Sequence, residues 1–85
     1  MNEQEIGYRD IDEPVKAEVI DESLVVTLKD GRVISTPLAW YPRLAQASAD
    51  QRAEVELGAW GLHWDALDED LSIRGMLLGK PVPTP

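Results

Sequence analysis

Residues 24–36 read Leu-Val-Val-Thr-Leu-Lys-Asp-Gly-Arg-Val-Ile-Ser-Thr, two β-favouring runs broken by Asp30-Gly31. This stretch constrains the fold more than any other. Asp-Gly tolerates the positive φ that a tight type I′ hairpin demands, so the chain must double back there and return as a strand over Val33 to Thr36. With a two-residue loop, Leu28 faces Val33 and Val26 faces Ser35. Leu24, Val26, Leu28 and Val33 then form the core face, and Val25, Thr27 and Ile34 the opposite one. Val15 to Ile20 is a third β-rich run, joined through the polar turn Asp21-Glu22-Ser23. The prediction is a meander of three antiparallel strands.

Pro37 ends that meander because proline cannot donate to a ladder, and Pro42 suits the first position of a short helix through Ala47. Ser48 and Gln51 have capping-box spacing, which predicts a second helix over Ala49 to Leu57 with Gly58 as its stop. Trp60, Leu62 and Trp64 alternate with Gly61 and His63, a period of two that predicts a fourth strand with both indoles on one buried face. Ser72 can cap a last short helix carrying Ile73, Met76 and Leu77, ended by Gly79 and Pro81. The fold class expected is α+β in two layers: the meander and a fourth strand packed with two or three short helices. Residues 1–13 read as an acidic tail, mobile unless something ties it down; 14–79 form one domain and 80–85 an extended proline-rich tail.

With 85 residues and no Phe, the core must be built from Val, Leu, Ile and the three tryptophans. The absence of Cys removes disulfides, thiolate metal sites and a cysteine nucleophile together. No apolar run approaches the roughly 18 residues of a membrane span, and Met1 to Glu5 lacks the basic, then apolar, pattern of a signal peptide. A cytoplasmic protein is expected. The formal charge is −8, concentrated in Met1 to Glu13 and Asp65 to Asp70. A chain this acidic lacks the footprint of a nucleic-acid binder and suits a basic protein partner.

Three motifs carry a family resemblance: Leu28-Lys29-Asp30-Gly31-Arg32; Pro37-Leu38-Ala39-Trp40-Tyr41-Pro42-Arg43-Leu44; and Gly61-Leu62-His63-Trp64 running into Leu67-Asp68-Glu69-Asp70-Leu71-Ser72. In these the chain resembles the bacterial family called domain of unknown function 2442, in its short variant. It departs from the family pattern at Ala59, Trp60, Asp65 and Arg74. The resemblance implies no activity. It does imply a frequent gene neighbour, domain of unknown function 4160, in an arrangement similar to a toxin–antitoxin pair.

His63, the one histidine, lies near Asp65, Asp68, Glu69 and Asp70. An imidazole and several carboxylates can in principle hold a divalent ion, but the spacing matches neither an EF-hand nor a zinc motif. A histidine held by a neighbouring carboxylate is the simpler expectation, with no metal and no cofactor. Asp68, Glu69 and Asp70 read first as the lead-in to a helix, where negative charge is favoured, and, compatibly with that, as a docking patch. No Gly-x-Ser-x-Gly elbow or phosphate loop is present, so an enzyme is not expected. The leading reading is a protein-interaction module, antitoxin-like, using Asp65, Asp68, Glu69, Asp70 and His63 against a basic partner. The alternatives are a metal-assisted enzyme centred on His63 and Asp65, and a structural subunit that only self-associates.

Overall fold

The computed structural model describes residues 3–80. Strands β1 (Pro14–Ile20), β2 (Ser23–Leu28) and β3 (Val33–Pro37) form the meander, in spatial order β1-β2-β3 and antiparallel throughout. The Asp30-Gly31 hairpin differs from expectation by one residue. Leu28 N–H donates to Arg32 O at 2.8 Å and Gly31 N–H to Leu28 O at 2.9 Å, while Gly31 takes φ +96° and Asp30 stays out of the left-handed region. This is a three-residue loop with glycine as the left-handed third residue, the next commonest hairpin after the two-residue turn. An odd loop moves the register by one, and a one-residue slip flips every side chain to the other face. Thr27 therefore opposes Val33, Val26 opposes Ile34 and Leu24 opposes Thr36. Val33 is 60% exposed, against expectation, whereas Ile34 packs on the core. Thr36 is buried, and its hydroxyl accepts from Tyr41 OH at 2.9 Å.

Pro42 opens α1 (Pro42–Ala45), and the Ser48–Gln51 capping box forms as the spacing predicts, opening α2 (Ala49–Ala53). Helix α2 stops short of Leu57, since Glu54 leaves helical geometry and Glu56–Leu57 becomes strand β4. Gly58 is consequently not a helix stop: its N–H donates to Gly61 O at 2.9 Å and closes a hairpin onto β5 (Gly61–Trp64). A single turn of 3₁₀ helix over Asp65–Leu67 ends at Asp68, which has φ 49°, a left-handed conformation that aspartate tolerates. The chain then returns as β6 (Glu69–Ser72), giving a second antiparallel sheet in the order β4-β5-β6. The segment expected as a lead-in to a helix is thus an edge strand. It runs directly into α3 (Ile73–Leu77), where Ser72 Oγ accepts from Gly75 N–H at 2.9 Å. Gly79, at φ +70°, ends α3: its N–H donates to Met76 O at 3.2 Å and Lys80 N–H to Gly75 O at 2.8 Å.

The inner faces of the two sheets and the short helices enclose Leu24, Val26, Leu28, Leu44, Trp64 and Ile73, none more than 1% exposed. Each such side chain contributes about 1.5–3 kcal/mol, or more for an indole. Trp64 Nε1 donates to Arg52 O at 3.0 Å, and the Arg52 guanidinium donates to Leu44 O and Ala45 O, tying α1 and α2 to the ring. Trp60 does not join it. It precedes β5, in the turn, so the inward alternation begins at Leu62 and Trp60 is left 58% exposed.

The acidic N-terminal segment, read as mobile unless tied, has a tie at Asp12. That carboxylate is fully buried and accepts from Arg9 Nε at 2.8 Å, Arg9 Nη2 at 3.0 Å, Gly7 N–H at 3.0 Å and the Arg32 guanidinium. These donors, Arg9 first, hold the Asp12 carboxyl well below the usual range. Of the extended tail expected over 80–85, residues 81–85 lie outside the described residues.

Candidate functional site

The outer face of the second sheet carries most of the residues singled out from sequence, because period-two alternation sends Leu62, Trp64, Glu69 and Leu71 inward and leaves His63, Asp70 and Ser72 outward. Register then builds a row across all three strands, with Glu56 opposite His63 and His63 opposite Asp70. His63 Nδ1 lies 2.6 Å from Asp70 Oδ1, and Nε2 lies 3.4 Å from Asp65 Oδ1. An ionised carboxylate only accepts, so Nδ1 carries the proton in the Asp70 contact. The pKa of His63 is raised, chiefly by the Asp70 hydrogen bond and then by Asp65. Both nitrogens meet carboxylates at hydrogen-bond distance, as expected for a histidine held by its neighbours. Among the described residues no group of three or more His, Asp or Glu side chains is arranged to hold a metal ion.

The acidic stretch 65–70 does not form a single patch. Asp65 and Asp70 flank His63 and are 91% and 79% exposed. Glu69, proposed from sequence as a docking residue, points the other way and is only 5% exposed. Burial pushes its carboxyl up, while the nearby Arg43 guanidinium opposes that shift. Asp68 stays exposed at the left-handed turn, but its carbonyl accepts from Arg43 Nη1 at 2.7 Å, so the fold brings a base to a segment that has none in sequence.

Two further residues, outside the set assigned to docking from sequence, contribute. Glu56 joins the row only because the expected helix ends early. Trp60 projects beside it, and its ring meets Tyr8 edge-to-face at 6.0 Å and 89°. The Arg74 guanidinium lies 5.6 Å from the centre of the Tyr8 ring and donates to Ile6 O at 2.9 Å, which anchors the N-terminal segment at this rim. The signal for an exposed Trp60 was its setting, Gly58-Ala59-Trp60-Gly61, a turn composition rather than a strand. Glu56, Trp60, His63 and Asp70 line one open cleft of about 570 Å³.

A small α+β domain of two three-stranded antiparallel sheets, with an acidic and aromatic cleft on the second, is the class that this fold and cleft define. The chain belongs to the family of proteins of unknown function DUF2442, whose sequence model matches residues 14–82. A protein of unknown function from Rhodospirillum rubrum has a similar crystal structure, with 34% identity, TM-score 0.72, and coverage of 85% of this chain and 92% of that one. The solution structure of an uncharacterized protein from Chromobacterium violaceum shares the fold at TM-score 0.76 and 20% identity, covering 99% of this chain and 87% of that one. No curated protein matches the chain.

Proposed function

We propose that this protein is an interaction module that docks a basic protein on the outer face of its second sheet. The observation that carries this reading is the exposed Trp60 in a cleft lined by Glu56 and Asp70, with Asp65 exposed on the far side of His63. Large aromatic residues dominate binding energy at interfaces, and a surrounding charge of one sign selects partners of the other and speeds their encounter. In the gene arrangement that the family resemblance implies, the partner is the toxin-like product of the adjacent gene. The chain then acts in the cytoplasm as the antitoxin-like member, by occluding that product. No chemistry is assigned to the chain on this reading.

The test is the affinity of the purified chain for the adjacent gene's product as salt is raised, and the effect of the double variant Asp65→Asn with Asp70→Asn. Affinity should fall with ionic strength, because exposed charges are screened over about 8 Å at physiological salt. The double variant should weaken binding several-fold while its melting temperature stays near that of the parent. No complex, or one indifferent to both salt and the double variant, overturns the proposal.

One observation favours the enzyme reading: the 2.6 Å His63–Asp70 contact orients the imidazole as a general base requires. Its metal-assisted form predicts that micromolar zinc or manganese raises the melting temperature in a His63-dependent way.

A further inference from the structure

We infer that the cleft recognises an arginine side chain of the basic partner; this inference rests on the docking reading above. Four features of the cleft bear on it. Trp60 is 58% exposed, and Tyr8 meets it perpendicularly rather than stacking on it, so the indole keeps open surface for a ligand. Asp70 spends Oδ1 on His63 but is 79% exposed and keeps lone pairs for a second donor. Glu56 stands exposed on the other side of His63. These groups line one open cleft.

A planar guanidinium can lie on an indole face and still donate in its own plane to carboxylates at the ring's edge; an ammonium is a hydrated point charge without a fork or a flat face. The chain already holds one guanidinium over an aromatic ring, Arg74 at 5.6 Å from the centre of Tyr8, which itself packs on Trp60. The partner's arginine would take a corresponding place over the neighbouring indole. Charge complementarity commits the occupant to a cationic side chain, and the open indole surface selects arginine over lysine.

The experiment titrates the full chain with two synthetic peptides of equal length and charge, one alternating glycine and arginine, the other glycine and lysine, by calorimetry at low ionic strength. The arginine peptide should bind roughly 3- to 5-fold more tightly, the size of an exposed cation–π contact. Trp60→Leu should reduce it to the level of the lysine peptide, Trp60→Phe should retain part of the preference, and Asp70→Asn should weaken both peptides alike. Because Trp60 is exposed, its variants should melt with the parent, and this is checked in the same preparations. Equal affinity for both peptides with no effect of Trp60→Leu overturns the arginine inference and leaves acidic docking standing. Binding of neither peptide also overturns it, while docking is judged separately by the complex with the adjacent gene's product.

Discussion

The two sheets of this protein are built from equal numbers of strands by different means. In the first, strands of five to seven residues follow one another through tight turns, and its inner face supplies Leu24, Val26 and Leu28 to the core. In the second, strands of two to four residues are joined by the Gly58–Gly61 hairpin and a 3₁₀ turn and pack against β1 of the first sheet. The first is specified by local sequence and the second by tertiary context, and it is the second that carries the cleft. Alternation leaves an outward row on each sheet, and on the second that row is the titratable set Glu56, His63 and Asp70.

The sharpest test of this contrast lies within the second sheet, between its two tryptophans. Trp64→Ala removes a 1%-exposed indole and a hydrogen bond to Arg52 O, and should cost about 3–5 kcal/mol, most of the stability of a chain this small. Trp60→Ala should cost no more than about 0.5 kcal/mol. Urea denaturation of both variants decides the matter; comparable losses would mean that Trp60 is part of the core.

A second test concerns what joins the N-terminal segment to the first sheet. Asp12→Asn leaves Arg9 and Arg32 facing a neutral amide and should cost roughly 3 kcal/mol, at the low end for a broken buried pair because the guanidinium groups are partly solvated. The sign of the pH dependence follows from the lowered carboxyl pKa. The contribution is fully present above the ordinary aspartate pKa, near 4, and is lost as pH falls toward the depressed folded value. Urea midpoints should therefore drop below about pH 4 in the parent and less steeply in Asp12→Asn; parallel curves would remove Asp12 from the acid response.

Glycine separates the sheets in a third way. A Cβ on Gly61 would sit 2.5 Å from Leu71 O, so Gly61→Ala forces β5 and β6 apart and should cost about 1–3 kcal/mol. A Cβ on Gly31 meets nothing within 4 Å, and Gly31→Ala should cost only the roughly 1–2 kcal/mol of a left-handed alanine. Reversal of that order, measured by thermal melting, would mean that the hairpin rather than the second sheet is the tightly specified element.

The legibility of the sequence follows the same division. All three strands of the meander, the Ser48–Gln51 capping box and the Ser72 cap are local signals and stand where residue chemistry puts them. The hairpin register differs from the sequence expectation by one residue because Asp-Gly serves both two- and three-residue loops, and only the turn geometry separates them. Strand β4 was hidden inside a helix-compatible run, since Glu56 and Leu57 are fixed by pairing with His63 and Leu62 rather than by propensity. Strand β6 was hidden by its charge. A buried Glu69 is readable only once Trp64 is seen opposite it. Of the candidate site, His63, Asp65 and Asp70 were visible as neighbours in sequence, while Glu56, Trp60 and Tyr8 arrive through folding.

The smallest expected effect is also the most local, and it concerns the row that distinguishes the second sheet's outer face. His63 is held by two carboxylates at unequal distance, Asp70 at 2.6 Å and Asp65 at 3.4 Å, and its pKa is raised by both with Asp70 the larger cause. A proton titration of the His63 ring by NMR should place its midpoint above that of an unperturbed histidine. Asp70→Asn should lower it more than Asp65→Asn, because the shorter contact favours the charged ring more. A raised folded pKa contributes stability that is fully present below the unfolded value, near 6.5, and is lost as pH rises through the folded one. Urea midpoints should thus show a slight decline across that window, absent in His63→Gln. Docking has the opposite sign: once His63 is neutral, Asp65 and Asp70 lose their internal cation, and a basic partner should bind more tightly as pH rises through the same window. Equal shifts from the two aspartate substitutions would place His63 midway between the carboxylates rather than on Asp70. A partner affinity flat across the titration would remove the row Glu56, His63 and Asp70 from the interface and direct attention to the outer face of the first sheet.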